Sequence, residues 1–418
     1  MPRPATGQES ATHANGHDSV LVVGAGPVGL ASALALRAQG LPVTVLEAGP
    51  EGRPRPGSRA IYVHRETLEH LEAVQTGLGR EIAAHGLVWH TKRTFWGERE
   101  VFTRTYPPPR SGPLPPFASL AQAETEGLLL EACKASGADL VWEASVSGVD
   151  ATPGGVTVTT ESGATWSAGY LVGADGARSA VRAALGIAME GHRSESAFVI
   201  VDVEEDPDDP RPLERIFHYA HPAADGRNVL LVPFTGGWRV DLQCRPDDDA
   251  ESFNAPDGVR RWVGRVLPER YVERIRWVST YRFLQVVAEE LTDQHRRVLL
   301  VGEAAHLFAP FGARGMNSGV VDATAAAAAI RTALGEPDAR AARAAIEEFG
   351  RVRGHAARHN RAAASAALAH MQARDLTMRV KRRVAAAAAV YGQRAGHWLD
   401  SAPYGPRSGP RGQASGRY

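Results

Sequence analysis

The chain is 418 residues long, enough for two or three layers or domains around a large core. Its 44% hydrophobic and 22% charged residues are those of an ordinary globular protein, and 47 basic against 47 acidic residues leave no net field, so composition gives no argument for nucleic acid or an anionic membrane. Only Cys133 and Cys244 occur, which excludes a disulfide scaffold and suits a reducing cytoplasm, and no apolar run is long enough to span a bilayer.

Residues 1–17 are polar without an apolar core and are expected to form a disordered leader. From Val20 to Glu47 the sequence reads VLVVGAGPVGLASALALRAQGLPVTVLE: an apolar run, a glycine turn, a helical period and a second apolar run ending on an acid. In that pattern Gly24 permits a tight turn, Gly26 lets backbone approach a pyrophosphate, and Gly29 allows helix to pack closely on strand. Pro27 and Val28 open the helix, whose free N–H groups and dipole suit phosphate. Glu47, followed by Ala48, stands where a ribose hydroxyl needs an acceptor. The acid suits FAD or NAD(H) and disfavours a 2′-phosphate.

A basic loop follows, with Arg53, Arg55 and Arg59, which is either a solvated loop or a contact to pyrophosphate or flavin. A helix is expected over about 65–74, strands over 87–102, a proline-rich link over 106–117 and a helix over 122–135. Short strands follow to residue 171. At YLVGADGARSAVR, Asp175 and Gly176 turn a strand end into a short helix, which taken alone is an ordinary connection with a capping Asp. Alternating strands between 197 and 285 predict an antiparallel sheet forming a wall over a ligand pocket. A third strand then ends at Gly302 and Glu303, and a Gly-rich loop leads into a helix near Met316 or Asn317. The Ala/Arg-rich remainder to about Arg394 is expected to be all helix. His355 and His359 are spaced like a metal pair, but no acid completes the pattern, and no metal is expected. Residues 401–418 are expected to be a loose tail.

Three strand-end motifs in this order, GAGPVG, GADGARS and GEAAHLFAPFGARGMNSG, resemble the p-hydroxybenzoate hydroxylase-like, single-component FAD monooxygenases, as do SRAIYVHRETLEHLE and LAQAETEGLLLEA. The resemblance runs from about Ser19 to beyond residue 350. It implies an α/β fold: a Rossmann-like FAD domain of the glutathione reductase type, an inserted antiparallel substrate sheet and C-terminal helices. Its parts would be 18–86, 119–190 and 290–330 for FAD, 87–118 and 191–289 for substrate, and 331–400 for the helices. By resemblance Glu47 binds the adenosine ribose, Gln122 lies by the ribityl or pyrophosphate, Arg59 approaches the flavin and Asp175 serves both FAD and NAD(P)H. Glu303 replaces the family's usual Asp at the ribityl chain, adding one methylene. Pro310 and Gly315, Met316 and Asn317 lie along the isoalloxazine.

The chemistry so implied is an FAD-dependent, NADPH- or NADH-consuming hydroxylation of an aromatic or polyketide-like small molecule by molecular oxygen, through a flavin C4a-hydroperoxide kept dry by the inserted sheet. His218, Tyr219, His221 and Tyr281 are candidates for a base or proton relay, and none is assigned as catalytic. The alternatives are a halogenase, epoxidase or reductase of the same fold, or a non-catalytic flavin-binding protein. The WxWxIP motif of the halogenases is absent. The thioredoxin-like domain of larger phenol hydroxylases is expected to be missing. A cytoplasmic monomer or homodimer is expected.

Overall fold

The Val20–Val23 strand is apolar and buried on both faces, as a parallel strand covered by helices on one side and by a small second sheet on the other must be. In the computed structural model, which describes residues 12–14, 16–54, 57–107, 112 and 114–406, it is the middle strand of a five-stranded parallel sheet. The order across that sheet is Val298–Leu300, Tyr170–Gly173, Val20–Val23, Val43–Leu46 and Asp139–Val141. Helices Pro27–Ala38 and Arg314–Gly335 pack on each other against it. Their approach is close because glycines face Val28: a Cβ on Gly319 would lie 2.5 Å from a Val28 methyl.

A small four-stranded sheet flanks this unit, built from Val146–Thr152, Gly155–Thr160, Thr165–Ala168 and Thr12–Ala14. The last strand corrects the expected leader, since residues 12–14 pair in parallel with 165–167. Residues 1–11 and 407–418 lie outside the described residues, as does Arg55. Residues 402–404, expected in the tail, instead close a 3-10 turn in which Pro403 is buried.

The inserted sheet has eight strands, ordered His306–Leu307, Ile275–Ala288, Met189–Glu204, Gly237–Gln243, Arg227–Phe234, Glu214–His221, Thr91–Trp96 and Arg99–Thr105. All pairings are antiparallel but one, Glu214–Tyr219 beside Thr91–Trp96, where two separate hairpins meet edge to edge. Period-two alternation divides its side chains. Val199, Val201, Val203, Trp238 and Val240 pack under helix Pro256–Val266, while Phe198, Phe217, Tyr219 and Phe283 face Ala309, Leu368, Met371 and Leu399.

The C-terminal region is helical, in three pieces, Ala339–Gln372, Leu376–Ala388 and Gln393–Ser401. Asp338 and Asp375 cap two of them, each accepting a backbone N–H of the new first turn. The region is latched to the edge of the inserted sheet by buried polar groups. Asp400 accepts from Thr94 Oγ1 at 3.0 Å and pairs with Lys92. Tyr219 donates to the Leu399 carbonyl at 2.7 Å and lies 2.8 Å from His370 Nε2.

Burial, with Arg382 and Lys381 nearby, pushes the His370 pKa down to about 3. A buried histidine held neutral contributes stability that is complete above its unfolded pKa and is lost as pH falls toward the folded one. Between about pH 6.5 and 3 its loss is on the order of 5 kcal/mol. We expect the thermal midpoint to fall as pH drops through this window, and a His370→Gln variant to show a shallower fall.

Candidate cofactor site

The residues singled out in the sequence fall on the carboxyl ends of adjacent parallel strands, where open α/β sheets bind ligands. The surface depressions lined by His17, Ser19, Pro42 and Asp139 lie at the opposite ends and contain none of them.

At the first strand end Gly24 has φ +101°, and its amide donates to the Leu46 carbonyl at 2.8 Å. Helix Pro27–Ala38 follows Gly26 with no side-chain cap and with Pro in its first turn, so its leading N–H groups have no side-chain partner. Glu47 is buried at the neighbouring strand end, beside exposed Ala48. Its Oε2 accepts the Ala25 amide at 2.6 Å, its Oε1 accepts the Gly49 amide at 3.0 Å, and the Arg53 guanidinium stands 3.1 Å away. The carboxylate thus ties the glycine turn to the second strand, and Arg53 of the basic loop is engaged by Glu47.

The loop before Arg59 is clamped to the inserted sheet. Asp202 accepts both the amide and the hydroxyl of Ser58, each at 2.6 Å, and a Cβ on Gly57 would lie only 2.3 Å from the Trp277 ring. Burial raises the pKa of Asp202, and the two Ser58 hydrogen bonds oppose it. Arg59 is exposed with φ +50°, and its carbonyl accepts from the Arg239 guanidinium. Gln122 accepts the Ala60 amide at 3.2 Å and donates to Glu126 at 2.6 Å, so its amide fixes this loop.

Asp175 divides its roles. Oδ2 accepts the Val181 amide at 3.0 Å, as a helix cap, whereas Oδ1 is buried with no partner. At the third strand end Gly302 takes φ +56°. Solvent reaches the Glu303 side chain, yet protein surrounds it densely. That desolvation raises its pKa, with His306 and Arg59 opposing. Pro310 is exposed, Gly312 and Ala313 turn the chain at φ +77° and +53°, and helix Arg314–Gly335 starts without a side-chain cap. A Cβ on Gly315 would meet nothing within 4 Å.

Met316 is buried, and Asn317 is fully engaged within the protein. Its Oδ1 accepts from the His64 amide at 2.9 Å and Thr67 at 2.6 Å, and its Nδ2 donates to the Tyr62 and Ala313 carbonyls at 2.8 and 2.7 Å. Asn317 therefore fastens the 62–64 strand to the helix start, and any ligand contact there falls to backbone.

Sequence reading passed over the group beneath this loop. Asp322 is buried and accepts from His306 Nε2 at 2.6 Å, the Gly302 amide at 3.2 Å and Arg353 Nε at 2.6 Å. Burial alone would raise its pKa, but His306 and Arg353 outweigh it and hold the carboxyl below the usual range. His306 lies inside the third motif, in GEAAH, and Asp322 three residues past its end, in VVDAT, so the residues were in view without a mark of their pairing.

Above the cleft, the inserted sheet turns an aromatic face to the 308–313 loop. Phe198 lies 4.9 Å from Phe283 and 5.6 Å from Phe311, and Tyr281 stacks on Phe283 at 6.4 Å. Of the four proton-relay candidates only Tyr281 belongs here. Tyr219 is buried against Leu399 and His370. His218 alternates with it onto the other face, near His221, with its pKa pushed down to about 4 by burial and His221.

The donor set fits a long dinucleotide: two uncapped helix starts for negative charge, an unpartnered Asp175 oxygen, open space at Gly315 and an acid reaching into the cleft at the third strand end. Among the described residues no cluster of His, Cys, Asp or Glu is arranged to hold a metal, and no helix is long and apolar enough to cross a membrane.

Fold and cleft together define an α/β dinucleotide-binding protein of the p-hydroxybenzoate hydroxylase type. The chain belongs to the FAD binding domain family, which matches residues 18–359. It is 32% identical over 321 residues to a 6-methylpretetramide 4-monooxygenase of Streptomyces rimosus, covering 73% of this chain and 54% of that protein. It is 30% identical to a para-nitrophenol 4-monooxygenase of Pseudomonas sp. strain WBC-3, covering 73% of this chain and 76% of that one. Among solved structures, the p-nitrophenol 4-monooxygenase of Pseudomonas putida DLL-E4 superposes with a TM-score of 0.71 at 25% identity, over 95% of this chain and 100% of that one. The chain spans between 54% and 62% of the length of the first curated relatives it matches.

Proposed function

We propose that the chain carries the flavin and substrate sites of an FAD-dependent, NADPH- or NADH-consuming monooxygenase that hydroxylates an aromatic or polyketide-like small molecule. The observation that carries this reading is the aromatic wall of Phe198, Tyr281, Phe283 and Phe311 facing the helix start at the third strand end. When bound, FAD supplies the redox chemistry, with the nicotinamide as transient reductant and molecular oxygen as oxidant. Gly24, Gly26, Pro27, Val28 and Gly29 hold its pyrophosphate, Glu47 and Ala48 its adenosine ribose. Arg59, Gln122, Asp175, Gly302 and Glu303 take the middle of the ligand. Pro310, Gly315 and Met316 line the ring, with Asn317 holding that loop in place. The backbone N–H groups at residues 315–317 stabilise negative charge there, and the aromatic wall excludes water.

The FAD unit comprises 18–86, 119–190 and 290–330 and the substrate sheet 87–118 and 191–289, in a cytoplasmic monomer or homodimer. The reading is tested on purified protein. A yellow preparation whose NADPH or NADH oxidation rises with an aromatic compound supports it, and bound flavin that neither nicotinamide reduces would sink it. Asp175→Ala is expected to lose flavin or reduction by nicotinamide, because its unpartnered oxygen is removed.

A further inference from the structure

Zero net charge over the whole chain conceals a local arrangement on helix Leu376–Ala388. The helix is held by one face only. Arg382 is buried there, its guanidinium 4.6 Å from the Tyr219 ring and 5.5 Å from Trp96, donating to the His370 and Met371 carbonyls at 3.2 and 3.1 Å, with Ala386 buried beside it. The opposite face exposes a stripe. Leu376, Val380 and Val384, four residues apart, are 68%, 48% and 61% exposed, and Val390 and Tyr391 continue it at the turn, Tyr391 being 92% exposed. Soluble chains rarely leave an aliphatic row and a tyrosine this open.

With about 100° of rotation per residue, Arg379 and Arg383 run along one edge of the stripe and Lys381 along the other. All three are exposed, as are Arg374 and Arg394 nearby. From 376 to 399 the sequence holds no Asp or Glu. An apolar stripe bordered on both sides by cations, on a helix lying along the surface, is the composition of an interfacial helix.

We infer that this helix docks the protein on an anionic lipid surface, with Leu376, Val380, Val384 and Tyr391 entering the headgroup layer and Arg379, Lys381 and Arg383 pairing with lipid phosphates. Charge decides the occupant. A second copy seated on the same stripe would bring these cations against their own equivalents, whereas anionic headgroups complement both edges. The inference does not depend on the proposed activity, and its readout is binding rather than turnover.

The test is co-sedimentation of the full chain with vesicles of phosphatidylcholine containing about one third phosphatidylglycerol, at low and high salt. We expect binding that high salt weakens and that pure phosphatidylcholine does not support. The triple variant Arg379→Glu, Lys381→Glu, Arg383→Glu should bind on the order of tenfold more weakly or worse. Val380→Ser with Val384→Ser should weaken binding while leaving its salt dependence. These side chains are exposed, so thermal midpoint and flavin content should match the parent. No binding to anionic vesicles at low salt, or binding untouched by the charge reversals, would overturn the inference. So would self-association removed by the valine substitutions, or equal retention on soluble polyglutamate, which would assign the cations alone.

Discussion

Gly29→Ala is expected to yield protein that neither holds FAD nor keeps its parental thermal stability. Gly29 sits in the first turn of helix Pro27–Ala38, and a Cβ there would lie 1.8 Å from the Gly24 carbonyl oxygen and 3.4 Å from the Ala174 side chain. The obstacle is backbone at the end of the central strand, so relief requires the helix to slide away from the glycine turn and move its N–H groups with it. We expect FAD affinity to fall by at least about 100-fold, read by absorbance of the purified protein and by titration with FAD. Two controls separate the clash from the substitution. A Cβ at Gly127 meets nothing, so Gly127→Ala should be neutral or slightly stabilising, by up to about 1 kcal/mol. A Cβ at Gly315 also meets nothing. Gly315→Ala should therefore leave the FAD-free thermal midpoint unchanged while weakening FAD. Normal flavin content in Gly29→Ala would show that helix and strand have slack that this geometry denies.

The same contrast explains what could be read from sequence. Gly24, Gly26 and Gly29 were legible because local backbone demands fix residue type over a few positions, and the helices Arg65–Val74 and Gln122–Ala135 were legible from their apolar spacing. What escaped is the joining of distant segments. Ser58 meets Asp202 across 144 residues, and Lys92 meets Asp400 across 308. A serine in a glycine-rich loop and an aspartate in an alternating strand carry no mark of each other. Asn317 lay in a motif read as flavin-lining, and its side chain proves to be a fastener because four backbone and side-chain groups converge on it only in the fold. Thr12–Ala14 escaped for a different reason. A strand of three polar and small residues has no period to detect and exists because an edge strand is there to receive it.

Asp322 is the sharpest instance, and substituting it is expected to have the second large effect. Its carboxylate is the common acceptor of the buried Gly302 amide and His306 and of the half-buried Arg353, so one charge holds the third strand end, the loop after it and the C-terminal helix together. Asp322→Asn leaves the Arg353 guanidinium without its counter-charge and places an amide donor against another donor. Breaking a buried pair in this way costs about 3–5 kcal/mol, or roughly 4–6 °C of thermal midpoint for a chain of this length. FAD affinity should fall as well, because the Gly302 turn loses its anchor. The pH dependence follows from the sign of the shift. A carboxyl held below its unfolded pKa contributes stability that is complete above about pH 4 and is lost as pH falls through the folded value. Asp322→Asn should thus lose part of the acid-induced destabilisation that the parent shows. The double variant Asp322→Asn, Arg353→Met should be less unstable than the sum of the two single changes, since the second removes the cation orphaned by the first. Strict additivity would mean that the two groups, 2.6 Å apart, do not act as a pair.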